Sequence, residues 1–461
     1  MWLERGVVRR GGGECAERLG NTRRECARRR SAVVWSRELH PRLPGYLRRI
    51  AVELMRYLLL ARVFPPRTGG SGRWFWEVYR RLPREMVCVL AGDSPGAAEF
   101  DAGHDVRVER LEMDFPDFGM LRPSGLMRYL KLTQEVVPHV RRERPAMIHC
   151  GCTWPEGVVA WLLNTLIGTP YLVYVHGEEL GYSGRDLAFL RRRVFGNAAM
   201  VVANSRNTQR LLHDDWNVPQ AKLRLLHPGV DIERFVPAER CERTRERLGW
   251  TGRTVVMTAG RLQKRKGQDM LIRALPRIRA AVPDVLYAIV GDGGERASLA
   301  ELAASLGLAD CVQLRGETSD DELIRCYQQC DVFALPNRTV SGDFEGFGMV
   351  LLEAQACGKA VLAGDSGGTA ETMSRGDGDF PRTGEIVNCD EPGPLAERIV
   401  AMLSDRERLA EMGRAGREWA ATRFGWDALS RQALDMFRGH DVRANRTAPE
   451  CCDTPAEQVC G

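Results

Sequence analysis

Short runs of consecutive apolar residues recur along the chain. Between them lie longer stretches whose apolar positions repeat about every 3.6 residues, the period of a helix with one buried face. The runs YLLLARVF (57–64), MVCVLAG (86–92), MIHC (147–150), YLVYVHG (171–177), MVVANS (200–205) and LRLLHPG (223–229) form a first series. TVVMTAG (254–260), LYAIVGDG (286–293), CVQLRG (311–316), DVFALPN (331–337), AVLAGD (360–365) and EIVNC (385–389) form a second. Runs that are apolar at nearly every position predict strands buried on both faces, and their alternation with helices predicts parallel sheets covered on either side. A single open sheet of about twelve strands tends to split, so the pattern predicts two doubly wound α/β domains in succession. The break falls in the proline- and charge-rich VDIERFVPAERCERTRERLGWTGR (230–253). The expected division is an N-terminal domain over 54–235, a C-terminal domain over 236–422 and a last helix over 423–439. The Arg- and Gly-rich front extension (1–53) and the polar tail (440–461) show no sustained apolar period and are expected to carry no fold of their own.

Composition narrows the function classes. Of 461 residues, 44% are apolar and 28% charged, which excludes a chain that is mainly disordered or collagen-like. No stretch reaches the roughly 18 uncharged apolar residues of a membrane-crossing helix. The first arginines are followed by no apolar segment of the secretory type, so the expected location is the cytoplasm. Residues 1–53 hold thirteen Arg and six Glu, a surplus of seven positive charges, so the rest of a chain of net charge +5 is net −2. A nucleic-acid-binding body would itself be basic, and no nucleic-acid partner is expected. Neither Cys150-Gly-Cys152 nor Cys451-Cys452 has the spacing of a zinc site, and no metal is expected. Only five of the 66 cationic residues are Lys (Lys131, Lys222, Lys264, Lys266, Lys359), so the two in one short loop, Lys264 and Lys266, stand out.

Two doubly wound domains in sequence face each other across a cleft, with ligands outside the carboxyl ends of the strands. The residues after each strand are therefore the candidates. After the first strand, Arg67-Thr68-Gly69-Gly70-Ser71-Gly72 is a Gly-rich turn into a helix, where backbone N–H groups can approach a ligand. It is not GxGxxG, which disfavours a dinucleotide dehydrogenase. His176 and Gly177 end the fifth predicted strand, with Glu178-Glu179 behind them. In the second domain a strand ends at Ala259-Gly260, and Arg261 and Lys266 follow before a helix that starts near Gln268. Two cations and a helix N-terminus suit a diphosphate; a solvated basic loop is the competing reading. In SGDFEGFGMVLLEAQACGKAVLAGD, Glu345 and Glu353 lie eight apart around Gly346-Phe347-Gly348, with a helix starting near Gly348. Glu353 falls between apolar flanks, and a buried carboxylate needs a partner. The vicinal hydroxyls of a ribose are one such partner, and an internal Arg is the other. Gly367-Gly368-Thr369 is expected to open a further helix.

Arg261…Lys266 followed by Glu345-x7-Glu353 resembles the retaining GT-B glycosyltransferases of the large family numbered four. The segments NSRNTQRLL, LHPGVDIERFVP, GRLQKRKG and EGFGMVLLEAQACGKAVLAGDSGGTAE each look like that family, and the likeness spans about residues 55–438. It implies the GT-B architecture: two Rossmann-like parallel-sheet domains facing a cleft, with RFGWDALSRQALDMF (423–437) as a C-terminal crossover helix on the first domain. It implies transfer of a hexose from a nucleotide-diphosphate sugar, used as co-substrate with no cofactor and no metal. Arg261 and Lys266 would bind the diphosphate, with Gly260 beside them. Glu353 would hold the ribose, and Glu345 and His176 would contact the donor sugar near the reacting centre. Phe347, Gly348 and Met349 would bring backbone to sugar and phosphate, and Gly69 and Gly70 would line the phosphate side of the first domain.

GDFEGFG also resembles mannosyltransferases that act on phosphatidylinositol mannosides, alongside transferases of other lipid-linked and glycan acceptors. The likeness favours mannose from GDP-mannose, with UDP-hexoses next. The basic, apolar segments LMRYLKL (126–132) and LAFLRRRVFG (187–196) would allow peripheral contact with an anionic membrane at its inner face, unless they are solvated helix faces. A GT-B nucleotide-sugar epimerase, a phosphorylase or an inactive sugar-nucleotide-binding protein are the alternatives.

Overall fold

The computed structural model describes residues 56–67, 69–115, 117–120, 122–181, 184–378 and 380–439. The expectations for the front extension and the tail lie outside these residues. Arg56–Asp435 form one compact unit, and of a second unit only Met436–Gly439, the end of the last helix, is described.

Two wholly parallel sheets follow one another along the chain. The first contains β1 (Tyr57–Ala61), β2 (Val87–Gly92), β3 (Val108–Leu111), β4 (Met147–Cys150), β5 (Tyr171–Val175), β6 (Met200–Ala203) and β7 (Leu223–Leu225), in the spatial order 3-2-1-4-5-6-7. The second contains β8 (Thr254–Ala259), β9 (Val285–Val290), β10 (Val312–Gly316), β11 (Val332–Leu335), β12 (Val361–Gly364) and β13 (Gly384–Val387), in the order 10-9-8-11-12-13. Each sheet reverses its winding beside its first strand, between β1 and β4 and between β8 and β11, and a ligand crevice opens at such a switch point. The molecule therefore has the two Rossmann-like domains expected. The helices that bear on the site are α1 (Gly70–Tyr79), α2 (Pro123–Glu143), α3 (Val158–Ile167), α4 (Arg185–Asn197), α5 (Arg206–Asp214), α6 (Gln268–Ala281), α7 (Met349–Ala356), α8 (Arg406–Phe424) and α9 (Trp426–Gly439).

Neighbouring strand residues point to opposite faces, and in the second sheet both faces are covered. Val256 packs with Leu271, Leu275 and Tyr287 on one side, while Val255 and Met257 pack with Trp250, Phe333 and Leu351 on the other. The continuous apolar runs follow from that double cover. All twelve predicted strands are present, but most end before the run does, β7 at Leu225 rather than Gly229, and one further strand is added. The first strand ends at Ala61 rather than Phe64, because the chain turns at Arg62, whose N–H donates to Glu156 Oε1 at 2.7 Å. The strand VERL, β3, was not expected: it is a half-buried edge strand carrying charges, which leaves no apolar run to detect.

The chain crosses between the two sheets twice at one place. Val230 N–H donates to Phe424 O at 2.9 Å and Val230 bridges Gly425, the break between α8 and α9. From there α9 returns to the first sheet's side, where Asp427 accepts from Arg81 Nε at 2.7 Å and Ser430 Oγ donates to Glu77 O at 3.4 Å. This is the expected crossover helix.

Candidate active site

Lys266, Arg265 and Glu345 form the centre of the site. The loop leaving β8 passes Gly260 and Arg261, makes one tight turn over Lys264–Lys266 and enters α6. Lys266 Nζ lies 2.5 Å from Glu345 Oε2, and Arg265 Nη1 donates to the same oxygen at 2.6 Å. Arg265 also reaches Asp343 (Nε–Oδ1 3.2 Å) and Glu178 (Nη2–Oε2 4.0 Å), which follows β5 of the other sheet. Lys266 and Glu345 are each 8% exposed. Burial pushes the Glu345 carboxyl up, but Lys266 and Arg265 together outweigh it and hold it below the usual range. Glu345 is thus a carboxylate at neutral pH and holds no proton to donate. The stability contributed by this cluster is complete at neutral pH and is lost only in acid, below the ordinary glutamate value of about 4.3.

His176 leaves the end of β5 and meets Gly346. Its Nε2 donates to Gly151 O at 2.7 Å, at the end of β4, and its ring stands edge-on to Trp74 and Phe75 of α1. Its N–H donates to Glu179 Oε1 at 3.0 Å, and its carbonyl accepts from Asn204 Nδ2 at 2.8 Å. Glu179 is buried, which pushes its carboxyl up. A methyl group on Gly346 would stand 2.0 Å from His176 O, so the two domains approach backbone to backbone here. The Gly-rich turn of the first domain also converges on the site: Gly69 caps α1, and a methyl group on Gly70 would lie 3.0 Å from Met349 Cε. Gly348 caps α7, and Phe347 stacks on His227 with ring centroids 5.2 Å apart.

Glu353 is engaged differently. Its Oε1 accepts from Arg73 Nη1 of α1 at 2.9 Å and its Oε2 from the Tyr327 hydroxyl at 2.8 Å. This is the internal arginine pairing that competed with the ribose role. Arg261 is exposed and makes no ion pair among the described residues, so Arg265 is the guanidinium that joins Lys266 on Glu345. A methyl group on Gly260 would lie 4.0 Å from Lys266 Nζ, placing that backbone beside the ammonium. Arg265, Arg73 and Tyr327 are site residues the sequence reasoning missed. Arg265 stood between the two singled-out lysines, but in a chain with 66 cationic residues, 61 of them Arg, one more arginine carries little signal. Gly367-Gly368-Thr369 leads into a single tight turn, Thr369–Thr372, and not into a longer helix, because the chain swings out again at Met373.

Paired parallel sheets with a cation–carboxylate cluster at their carboxyl ends suit a two-domain enzyme that binds an anionic ligand between them. The chain belongs to the glycosyltransferases: residues 241–419 match the family described as Glycosyl transferases group 1, and residues 68–234 match Glycosyltransferase Family 4. It is an enzyme that uses a nucleotide sugar. The GDP-mannose-dependent alpha-(1-6)-phosphatidylinositol monomannoside mannosyltransferase of Mycobacterium tuberculosis is 35% identical over 398 residues, 84% of this chain and 100% of that one. A GDP-mannose-dependent monoacylated alpha-(1-6)-phosphatidylinositol monomannoside mannosyltransferase of Corynebacterium glutamicum is 31% identical, over 83% of this chain and 97% of its own. Among solved structures, HepE of Anabaena in complex with UDP superposes with a TM-score of 0.69 at 22% identity, covering 84% of this chain and 100% of that one. Sucrose-phosphate synthase from Thermosynechococcus elongatus gives 0.69 at 21% identity, covering 83% and 98%. At that identity these structures share the fold.

Proposed function

We propose that the protein is a retaining, metal-independent mannosyltransferase that moves mannose from GDP-mannose to a hydroxyl of a phosphatidylinositol-mannoside-type acceptor. One observation carries the donor and acceptor of this reading: the GDP-mannose-dependent phosphatidylinositol monomannoside mannosyltransferase of M. tuberculosis is 35% identical across its whole length. The geometry supports the chemistry. As the bond between the anomeric carbon and the diphosphate breaks, negative charge builds on the leaving oxygens. Lys266 is preorganised to meet it in a nearly water-free place, and Arg261 has charge left to give. Glu345 holds the Lys266 ammonium and the Arg265 guanidinium in place through one oxygen. Glu353 would exchange Arg73 for the ribose hydroxyls, keeping Tyr327 on its other oxygen. His176 presents its ring from the opposite domain. The acceptor hydroxyl attacks on the face the diphosphate leaves and passes its proton to the departing phosphate oxygen. Purified protein supplied with GDP-mannose and phosphatidylinositol monomannoside, with EDTA present, is expected to form one α-linked mannosyl product, identified by mass spectrometry and by NMR of the anomeric proton. Transfer from UDP-hexoses alone would overturn the donor, dependence on added metal would overturn the metal-free reading, and a β-linked product would overturn retention.

A lipid-linked acceptor implies work at a membrane surface, although no described helix is long and apolar enough to cross one. Leu126, Met127 and Leu130 on α2, Leu166 and Ile167 at the end of α3, and Phe189 on α4 are large apolar residues left exposed. These three helices pack side by side, and the exposed cations Arg122, Lys131, Arg192 and Arg193 lie on or beside them. Apolar side chains among cations suit an anionic bilayer surface. In a flotation assay the protein is expected to rise with vesicles containing phosphatidylinositol and to stay behind with neutral phosphatidylcholine. Met127→Asp with Leu130→Asp should abolish the difference, and equal behaviour of wild type and double variant would remove the membrane reading.

A further inference from the structure

Glu371 belongs to the C-terminal domain by sequence, yet its carboxylate is spent on the other domain. It lies in the turn Thr369–Thr372 after β12. Its Oε2 accepts from the backbone N–H of Arg206 at 2.8 Å, and its Oε1 from that of Asn207 at 3.1 Å. His227 Nε2 donates to Oε2 at 2.9 Å. Arg206 and Asn207 open α5, whose cap Ser205 accepts from the N–H of Thr208 at 3.1 Å. The first N–H groups of a helix have no partner within it. Here the cap serves the third, and a carboxylate from across the cleft serves the first two. The positive end of the helix favours an anion at that point. Burial pushes the Glu371 carboxyl up, but the bonds from His227, Arg206 and Asn207 outweigh it, so the group is charged.

The turn that carries Glu371 is wedged against the site. Gly368 N–H donates to Glu345 O at 3.0 Å. A methyl group on Gly367 would stand 1.9 Å from Glu345 O, and one on Gly368 would stand 2.3 Å from Gly346 O and 2.7 Å from Ser205 Cβ. His227, on the other side of the carboxylate, stacks on Phe347. Glu371 therefore ties the start of α5 and His227 to the main chain of Glu345, Gly346 and Phe347.

We infer that Glu371 is a positioning residue: it holds the Glu345–Phe347 segment in register with the N-terminal domain, and so keeps the Glu345–Lys266 pair opposite His176. It acts through Glu345 and makes no contact with the donor. The inference rests on the donor-site reading of Lys266 and Glu345.

The test compares wild type, Glu371→Ala, Glu371→Gln, His227→Ala and the His227→Ala/Glu371→Ala double variant. The measurements are kcat, GDP affinity by calorimetry and thermal melting, with the nucleotide sugar that wild type turns over as donor. Glu371→Ala is expected to lower kcat about ten- to a hundred-fold, since small misplacements of reacting groups cost that much. GDP affinity is expected to stay within about three-fold, because the diphosphate cations stand on another loop. Glu371→Gln, which keeps one acceptor oxygen, is expected to recover part of kcat. If Glu371→Ala does not fold, Glu371→Gln carries the test, with kcat down at least about three-fold at unchanged GDP affinity. The double variant is expected to match Glu371→Ala within about two-fold, since both changes break one network. A kcat near wild type in folded Glu371 variants would overturn the inference, as would GDP affinity falling in step with kcat, or losses that multiply in the double variant. Failure of wild type to bind any nucleotide or turn over any nucleotide sugar would instead remove the donor-site reading.

Discussion

Lys266→Ala is expected to lower kcat/KM for the donor by about 10²–10³-fold, the usual loss when one preorganised donor to a developing negative charge is removed from a dry site. The variant still folds, because Glu345 keeps Arg265 at 2.6 Å and is not left as an uncompensated buried charge. Lys266→Arg restores charge but not the compact ammonium at 2.5 Å from Glu345, and is expected to recover only part of the loss. Steady-state kinetics with varied donor, beside thermal melts, check this. Activity of Lys266→Ala within about three-fold of wild type would mean that the leaving diphosphate is met elsewhere.

Gly346→Ala is the second change with a large expected effect, and its cause is purely steric. The added methyl would stand 2.0 Å from the His176 carbonyl and 2.8 Å from Asn204 Nδ2. The closer of these is backbone, which cannot swing aside as a flexible side chain can, so the two domains must separate locally. Separation moves His176 away from Lys266 and Glu345, and a shift of about 1 Å is enough for roughly a hundred-fold loss of kcat. GDP affinity is expected to fall much less, since Lys266 and Arg261 belong to one domain with Glu345. Turnover, GDP calorimetry and hydrogen exchange across 171–177 and 344–349 would show it: faster exchange in both segments with binding retained. Unchanged turnover would show that the close approach is not needed for catalysis.

Much of this architecture was legible in the linear pattern. Continuous apolar runs such as TVVMTAG and LYAIVGDG read as doubly covered parallel strands because burial on both faces removes any need for polar positions. The edge strand β3 was not legible for the opposite reason: half exposed, it tolerates Glu109 and Arg110. The candidate site was legible where a residue type is rare or costly. Lys266 stood out among arginines, Glu353 as a carboxylate between apolar flanks, and Glu345 by standing eight positions before it at the mouth of a helix. Arg265 was hidden by the abundance of its own kind. Arg73 was hidden by distance, since its partner Glu353 lies 280 residues away.

By itself the sequence determined the succession of two α/β domains, the positions of their strands though not where each one ends, and the short list of polar residues that could face a cleft. Local periodicity and the cost of burying charge are properties of neighbours in the chain, and they can be read without coordinates. Only the tertiary structure decided the pairings: Arg265 with Lys266 on Glu345, Arg73 and Tyr327 on Glu353, Glu371 on the start of α5, and Gly346 against His176. Each pairing is set by the direction a side chain takes as it leaves a turn and by how the two sheets are brought together, and neither of these is written in the spacing of residues along one strand.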